Sequence, residues 1–224
     1  AKLGAWMACI PDNIFYTMLS IPGSHDAATA GVSGSLSGIS TTQNATILDQ
    51  LKSGIRAFDM RPCANCTGID EFVGLGTPKS YDLEIRHASV KTGVYFKDAV
   101  NQIADYLSAN PTECAFVFVH MEQPSTGSIS DRDAAGWSYE VYNFIKGLVG
   151  TGTGKALASI TNETKFAECR GKIIFVLRDD YKTGIADRLN RTLESANYYT
   201  CKIPWNDNIA RTVWVQGNDG NNSS

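Results

Sequence analysis

The sequence predicts an α/β fold, a (β/α) barrel of parallel strands, and three observations carry that prediction. Four apolar, strand-like runs each lead into polar groups able to do chemistry. Residues 17–21 run into His25-Asp26, and residues 55–60 contain Asp59 and run into Arg61. Residues 115–119 run into His120 and Glu122, and residues 173–177 run into Arg178. In a barrel the C-terminal end of every strand faces one shared site. Helical periodicity alternates with these runs, the pattern of a parallel sheet crossed by helices. Finally, 224 residues suffice for one full core, and no repeat or linker divides them, so residues 1–224 are read as one domain.

The elements follow in order. Pro22-Gly23 ends the first run. Ile47, Leu48 and Leu51 predict a short helix before Gly54. Phe96, Val100, Ile103 and Leu107 predict a helix that Asn110-Pro111 stops. Trp137, Val141, Phe144, Ile145 and Leu148 predict a longer helix after Asp131. Gly- and Ser-rich loops at 31–40 and 124–130 fall where barrel loops would lie over a site. The run Gly150–Lys155 has the outline of a phosphate loop. Val149 holds its first glycine position, however, and Ala156 replaces its hydroxyl residue, so it reads as a helix-to-strand loop. A last strand is expected at 212–216, giving about six strands where a closed barrel has eight. The barrel is therefore expected to be incomplete or irregular at its C-terminal end.

Composition excludes several classes. A net charge of −3 with scattered Lys and Arg provides neither a basic nucleic-acid face nor a polybasic membrane anchor. No apolar run has the length of a transmembrane helix. The six cysteines could form three bridges. Cys63 and Cys66 have zinc-like spacing without a second pair, so a disulfide is preferred there. Asn44, Asn65, Asn162, Asn190, Asn221 and Asn222 each open an Asn-X-Ser/Thr sequon. Together with an N-terminal Ala consistent with a removed signal peptide, these features predict a secreted, glycosylated protein. It is expected to be a monomer.

The segments Ile21-Pro22-Gly23-Ser24-His25-Asp26 and Gly54-Ile55-Arg56-Ala57-Phe58-Asp59-Met60-Arg61, with Arg86-His87, resemble the phosphatidylinositol-specific phospholipase C X-domain in its secreted bacterial and fungal form. Trp6-Met7 and Ile10-Pro11-Asp12 resemble that family's entry segment, and the match thins after Arg178. The resemblance implies a TIM-type barrel that meets membranes only peripherally. It implies cleavage of phosphatidylinositol or glycosylphosphatidylinositol anchors to diacylglycerol and a cyclic inositol phosphate. His25 would be the base, His87 the acid, and Asp26 the group that orients the acid and holds it protonated. Asp59 would position Arg61. His120, standing where a Lys is usual, would contact the inositol with Glu122 and Arg178. Trp205 reads, from the residue alone, as an aromatic wall or lipid contact or equally as a packed core residue.

The residue chemistry agrees with that implication. Metal-free phosphodiester cleavage needs a base, an acid and a cation for the phosphorane charge. His25 and His87 are two of only three histidines, and an arginine offers phosphate a bidentate fork. Animal relatives bind calcium through an Asn after the first His; Asp26 and Arg61 stand at the corresponding positions, so no cofactor is expected. Ser24-His25-Asp26 cannot form a relay triad, because adjacent residues point apart. The chain departs from the family at Ala88, where Gly is usual, and at Gly217, near an expected Asp that Asp219 could replace. The late Asp that supports the base would fall beyond residue 224, with Asp207 or Asp219 as stand-ins. Two alternatives stay open: a non-catalytic phosphoinositol-binding module that keeps the fold, and a metal-dependent phosphodiesterase on a related barrel. The acidic metal ligands of the latter are missing from the matching strand ends.

Overall fold

Strand pairing begins at Gly23 because Pro22 has no N–H to donate; its carbonyl instead accepts from Arg56 and Ala57 N–H at 2.9 and 3.1 Å. The computed structural model describes residues 2–31, 42–63, 82–87, 90–122, 131–158, 160–178 and 200–201. The first half of the chain forms β1 (Gly23–Ser24), α1 (Ile47–Lys52), β2 (Ala57–Met60), β3 (Glu84–His87), β4 (Val90–Tyr95) and α2 (Phe96–Ala109). The second half adds β5 (Ala115–Val119), α3 (Asp131–Leu148), β6 (Lys155–Ala156), α4 (Phe166–Cys169), β7 (Lys172–Arg178) and β8 (Thr200–Cys201).

The fold is α/β of the TIM-barrel type, with its strands forming an open, unclosed sheet among the described residues. The order is β1-β2-β5-β7-β6, all parallel. β8 pairs with the end of β7 and β6 with its beginning. β3 and β4 form a separate antiparallel hairpin.

Side chains alternate across a strand, so the sheet has two faces. On the outer face Phe58, Met60, Val117, Val119, Ile173 and Phe175 pack under the buried stripes of the helices. Those stripes are Ile47 and Leu51 on α1, Val100, Ile103 and Leu107 on α2, and Trp137, Val141 and Ile145 on α3. They recur every three to four residues, as a core-facing helix requires. On the inner face Ala57, Phe116, Phe118, Ile174 and Val176 meet Met7, Tyr16 and Phe166. The Tyr16 ring stacks on Phe116 at 5.8 Å. Asp59, Arg61 and His120 share the parity of this inner face.

A buried ion pair ties the chain together where the strands begin. Arg56 and Glu113, both fully buried, meet at 2.7 Å. Arg56 also donates to the carbonyls of Gly4, Leu51 and Ile55, each at 2.7 Å. Trp6 Nε1 donates to the Gly54 carbonyl at 2.8 Å, just before β2, and buried Trp137 Nε1 to the Pro62 carbonyl at 3.2 Å, just after it. Gly54 has φ +99°, and a Cβ there would stand 3.3 Å from the Leu3 carbonyl.

The predicted helices and the strands at β2, β5 and β7 are present, as is the predicted loop after α3, but other expectations need correction or lie elsewhere. Residues 17–21 do not form a strand: Tyr16–Met18 is a 3-10 turn with Met18 71% exposed, and only Gly23–Ser24 pairs. Gly150–Lys155 is the expected helix-to-strand loop, between α3 and β6, and it closes around a cation. Lys172 Nζ donates to the Gly150 and Gly152 carbonyls at 2.7 Å, and Gly154 N–H bonds the Gly171 carbonyl at 2.7 Å. Three bridges do not form: Cys9, Cys114 and Cys169 carry free thiols, and the last two pack as small apolar groups on the inner-face cluster. Cys66, residues 212–216, and the two Gly/Ser loops apart from Gly31 lie outside the described residues.

Candidate active site

The register of β1 on β2 builds the first half of the site. Gly23 pairs with Ala57 and Ser24 with Phe58, which sets His25 beside Asp59 as the strands end. His25 Nδ1 lies 3.0 Å from Asp59 Oδ2. The next residue, Asp26, has φ +45°, a left-handed conformation that Asp tolerates better than most residues. Hydrogen bonds hold this turn from several sides. Ala27 N–H donates to the Asp59 carbonyl at 2.9 Å, and Thr29 Oγ1 to the Asp26 carbonyl at 3.0 Å. Gln50, buried on α1, accepts from Ser24 Oγ at 2.6 Å and donates to the Ala27 and Ala45 carbonyls at 2.7 Å. Gln43 Nε2 donates to the His25 carbonyl at 2.9 Å. Neither glutamine belongs to a motif; only the placement of Gln50 on the apolar stripe of α1 could have flagged it.

The hairpin supplies the second half. Cys63 N–H donates to the Glu84 carbonyl at 2.9 Å and Arg86 N–H to the Arg61 carbonyl at 3.2 Å, stitching β3 to the segment after β2. The buried Arg86–Glu84 pair, at 3.1 Å, stiffens the hairpin. His87 Nε2 thereby comes to 3.4 Å from Asp26 Oδ2, the same oxygen that lies 3.2 Å from His25 Nε2.

Arg61 spans both carboxylates. Its Nε is 2.8 Å from Asp26 Oδ1 and its Nη2 is 2.9 Å from Asp59 Oδ2, with Glu122 Oε2 3.9 Å from Nη1. Burial works to lower the Arg61 pKa, but Asp59 and Asp26 together outweigh it and the guanidinium is held above its ordinary value. For Asp26 burial is the larger effect and raises its pKa. The Asp59 charge adds to that rise, while Arg61, His25 and His87 oppose it. His25, Asp26 and Asp59 present ligand-type atoms within 4.8 Å of one another. Arg61 already pairs with one oxygen of each of these carboxylates and sets a fixed cation beside them.

His25, Asp26, Asp59, Arg61 and His87 are thus brought together. Half-buried His120 follows β5, its N–H bonded to the Met60 carbonyl at 3.1 Å, and Glu122 N–H bonds the Pro62 carbonyl at 3.1 Å. Arg178 ends β7, its backbone paired with Cys201. Trp205, Asp207, Gly217 and Asp219 lie outside the described residues.

Comparison with models of protein families gives no match. The chain is 28% identical over 132 residues to 1-phosphatidylinositol phosphodiesterase of Listeria monocytogenes, covering 57% of this chain and 36% of the relative. It is 26% identical over 130 residues to the enzyme of that name from Staphylococcus aureus strain Newman, covering 56% and 36%. The chain therefore spans about a third of the length of these curated relatives. Among solved structures, the Listeria monocytogenes phosphatidylinositol-specific phospholipase C superposes with a TM-score of 0.56 at 22% identity, over 79% of this chain and 57% of that one. A Staphylococcus aureus enzyme of the same kind gives 0.61 at 22% identity, over 79% and 53%. These structures show a shared fold. The chain is thus similar in sequence, over about half its length, to 1-phosphatidylinositol phosphodiesterases, and over most of its length it shares the fold of phosphatidylinositol-specific phospholipases C.

Proposed function

We propose that this protein cleaves phosphatidylinositol, or a glycosylphosphatidylinositol anchor, to diacylglycerol and a cyclic inositol phosphate without a metal. The observation that carries this reading is the Asp26 carboxylate, which joins His25, His87 and Arg61 through its two oxygens. His25 takes the proton of the inositol 2-hydroxyl as that oxygen bonds to phosphorus. The bond from phosphorus to the diacylglycerol oxygen breaks, and His87 gives that oxygen a proton. Arg61 faces the charge that develops on the phosphoryl oxygens, as a fixed cation suits. At a side-chain exposure of 33%, His87 is the more open histidine, which suits a group that meets a leaving oxygen.

His120 and Glu122 follow β5 and Arg178 ends β7, where the inositol ring would sit, and Trp205 is assigned to the same substrate surface. The protein would approach a membrane only at its surface; among the described residues no helix is long and apolar enough to cross one. Secretion is part of the proposal, supported by the exposed sequon residues Asn44 and Asn162. A mass shift on deglycosylation of the native protein tests it.

The test of function measures cyclic inositol phosphate released from phosphatidylinositol micelles in excess chelator. The parent is expected to form product, with His25→Ala and His87→Ala slower by about 10²- to 10⁴-fold. A folded parent that binds phosphatidylinositol saturably without turnover would instead be a binding module. Product that appears only on adding calcium would overturn the metal-free mechanism.

A further inference from the structure

We propose that Asp59 is the carboxylate that orients the base: it accepts the Nδ1–H of His25 and so presents the Nε2 lone pair to the attacking hydroxyl. This rests on the phosphodiesterase reading above and adds a positioning role for Asp59 beyond holding Arg61. The contact is set by the sheet. β1 and β2 are neighbouring parallel strands whose register ends with His25 alongside Asp59, and the side chains meet at 3.0 Å. Asp59 is 1% exposed, and its carbonyl also anchors Ala27, so strand and turn move as one piece.

The protons can be assigned by chemistry. His25 Nδ1 faces an acceptor, Asp59 Oδ2 at 3.0 Å, and a donor, Arg61 Nη2 at 3.2 Å. It cannot serve both. The Asp59 contact is the shorter of the two and joins the ring to an anion, so Nδ1 is assigned the hydrogen, and Asp59 Oδ2, which also accepts from Arg61 Nη2 and Nε at 2.9 and 3.2 Å, accepts from both residues. Nε2 is then the basic nitrogen.

The two carboxylates divide the work. Asp26 uses one oxygen on Arg61 and the other on His87, the acid. Its 3.2 Å contact with His25 Nε2 falls on the nitrogen that must receive the substrate proton, so it cannot be the orienting contact of the base. Asp59 sits on the opposite side of the ring.

Among the described residues, the charged and titratable groups around His25 include Asp26 on its own turn, Asp59 and Arg61 on and after β2, His87 on β3, and Glu122 beyond Arg61. In Asp59→Asn kcat/KM for phosphatidylinositol micelles should fall by about 10²-fold or more. Activity equal to that of the parent overturns the proposal.

A second measurement needs neither activity nor a variant at Asp59. Nitrogen-15 NMR of the parent, with His25 assigned through His25→Gln, should show neutral His25 as the Nδ1–H tautomer. An Nε2–H tautomer overturns the proposal even where Asp59→Asn fails to fold. A parent that shows the Nδ1–H tautomer but forms no cyclic product would sink the catalytic reading and leave the pairing standing.

Discussion

Asp26 is held buried in a left-handed turn beside a second carboxylate, and that arrangement has a sign that pH can read. Its native pKa lies above the unfolded value of 3.8 because burial penalises the ionised form and Asp59 adds to the penalty. Below pH 3.8 the group is neutral in both states and costs nothing. As pH rises through the native value the native protein must ionise a group that the unfolded chain ionises more readily, and stability is lost. Asp26→Asn removes that loss, and Asn tolerates the left-handed backbone. Thermal melts from pH 3.8 upward should show the stability of the variant relative to the parent rising with pH. Turnover should fall by about 10²- to 10⁴-fold, since the acid loses its partner. A relative stability that does not vary with pH would contradict the burial argument.

At the scale of elements, Arg56 and Glu113 join the start of β2 to the start of β5 and hold the N-terminal segment through the Gly4 carbonyl. Arg56→Met leaves a carboxylate buried without its cation, and urea unfolding should report a loss of about 3–5 kcal/mol. Replacing both partners with apolar residues should recover most of it. At Gly154, φ is +70° and a Cβ would collide with Ser108 Oγ and the Ala104 carbonyl of α2. Gly154→Ala should cost on the order of 1–3 kcal/mol by the same measurement.

Which elements the sequence reveals follows from their physics. β5 is legible to the residue because five consecutive apolar residues are buried on both faces. α2 and α3 are legible because their periodic stripes are long. The β3–β4 hairpin is not, because Glu84 and Arg86 are buried as a pair and read like surface residues in sequence. β6 and β8 have two residues each, too few for any pattern. The first run misleads because Leu19 and Ile21 pack inward from extended backbone that pairs with nothing until Gly23. In the site, His25, Asp26, Asp59, Arg61 and His87 stand out through two short motifs and a His that follows Arg86. The second contact of Asp59, and the clamp that Gln50 places on the turn, depend on which strands and helices lie side by side. No local pattern encodes that.

Across the whole molecule the thiols differ in chemistry. Cys9 is exposed, whereas Cys114 and Cys169 are buried. Burial pushes the Cys169 thiol up to about 12, and burial with the neighbouring Cys169 lifts Cys114 well above its usual value. Since the thiolate is the reactive form, a thiol reagent at neutral pH should label Cys9 in the native protein and spare Cys114 and Cys169 until denaturant is added. Peptide mapping by mass spectrometry checks this, and native labelling of Cys114 would show that the inner-face cluster opens.

The two indoles bonded at either end of β2 have an optical consequence. Trp6 reports the lower rim, through the Gly54 carbonyl, and Trp137 the mouth, through the Pro62 carbonyl. Difference emission spectra of Trp6→Phe and Trp137→Phe against the parent would isolate each fluorophore. Quenching or a red shift confined to the Trp137 signal on adding phosphoinositide would mark a response at the rim that carries the histidines. A coincident change in both during denaturation would show that the strand between them melts in one step.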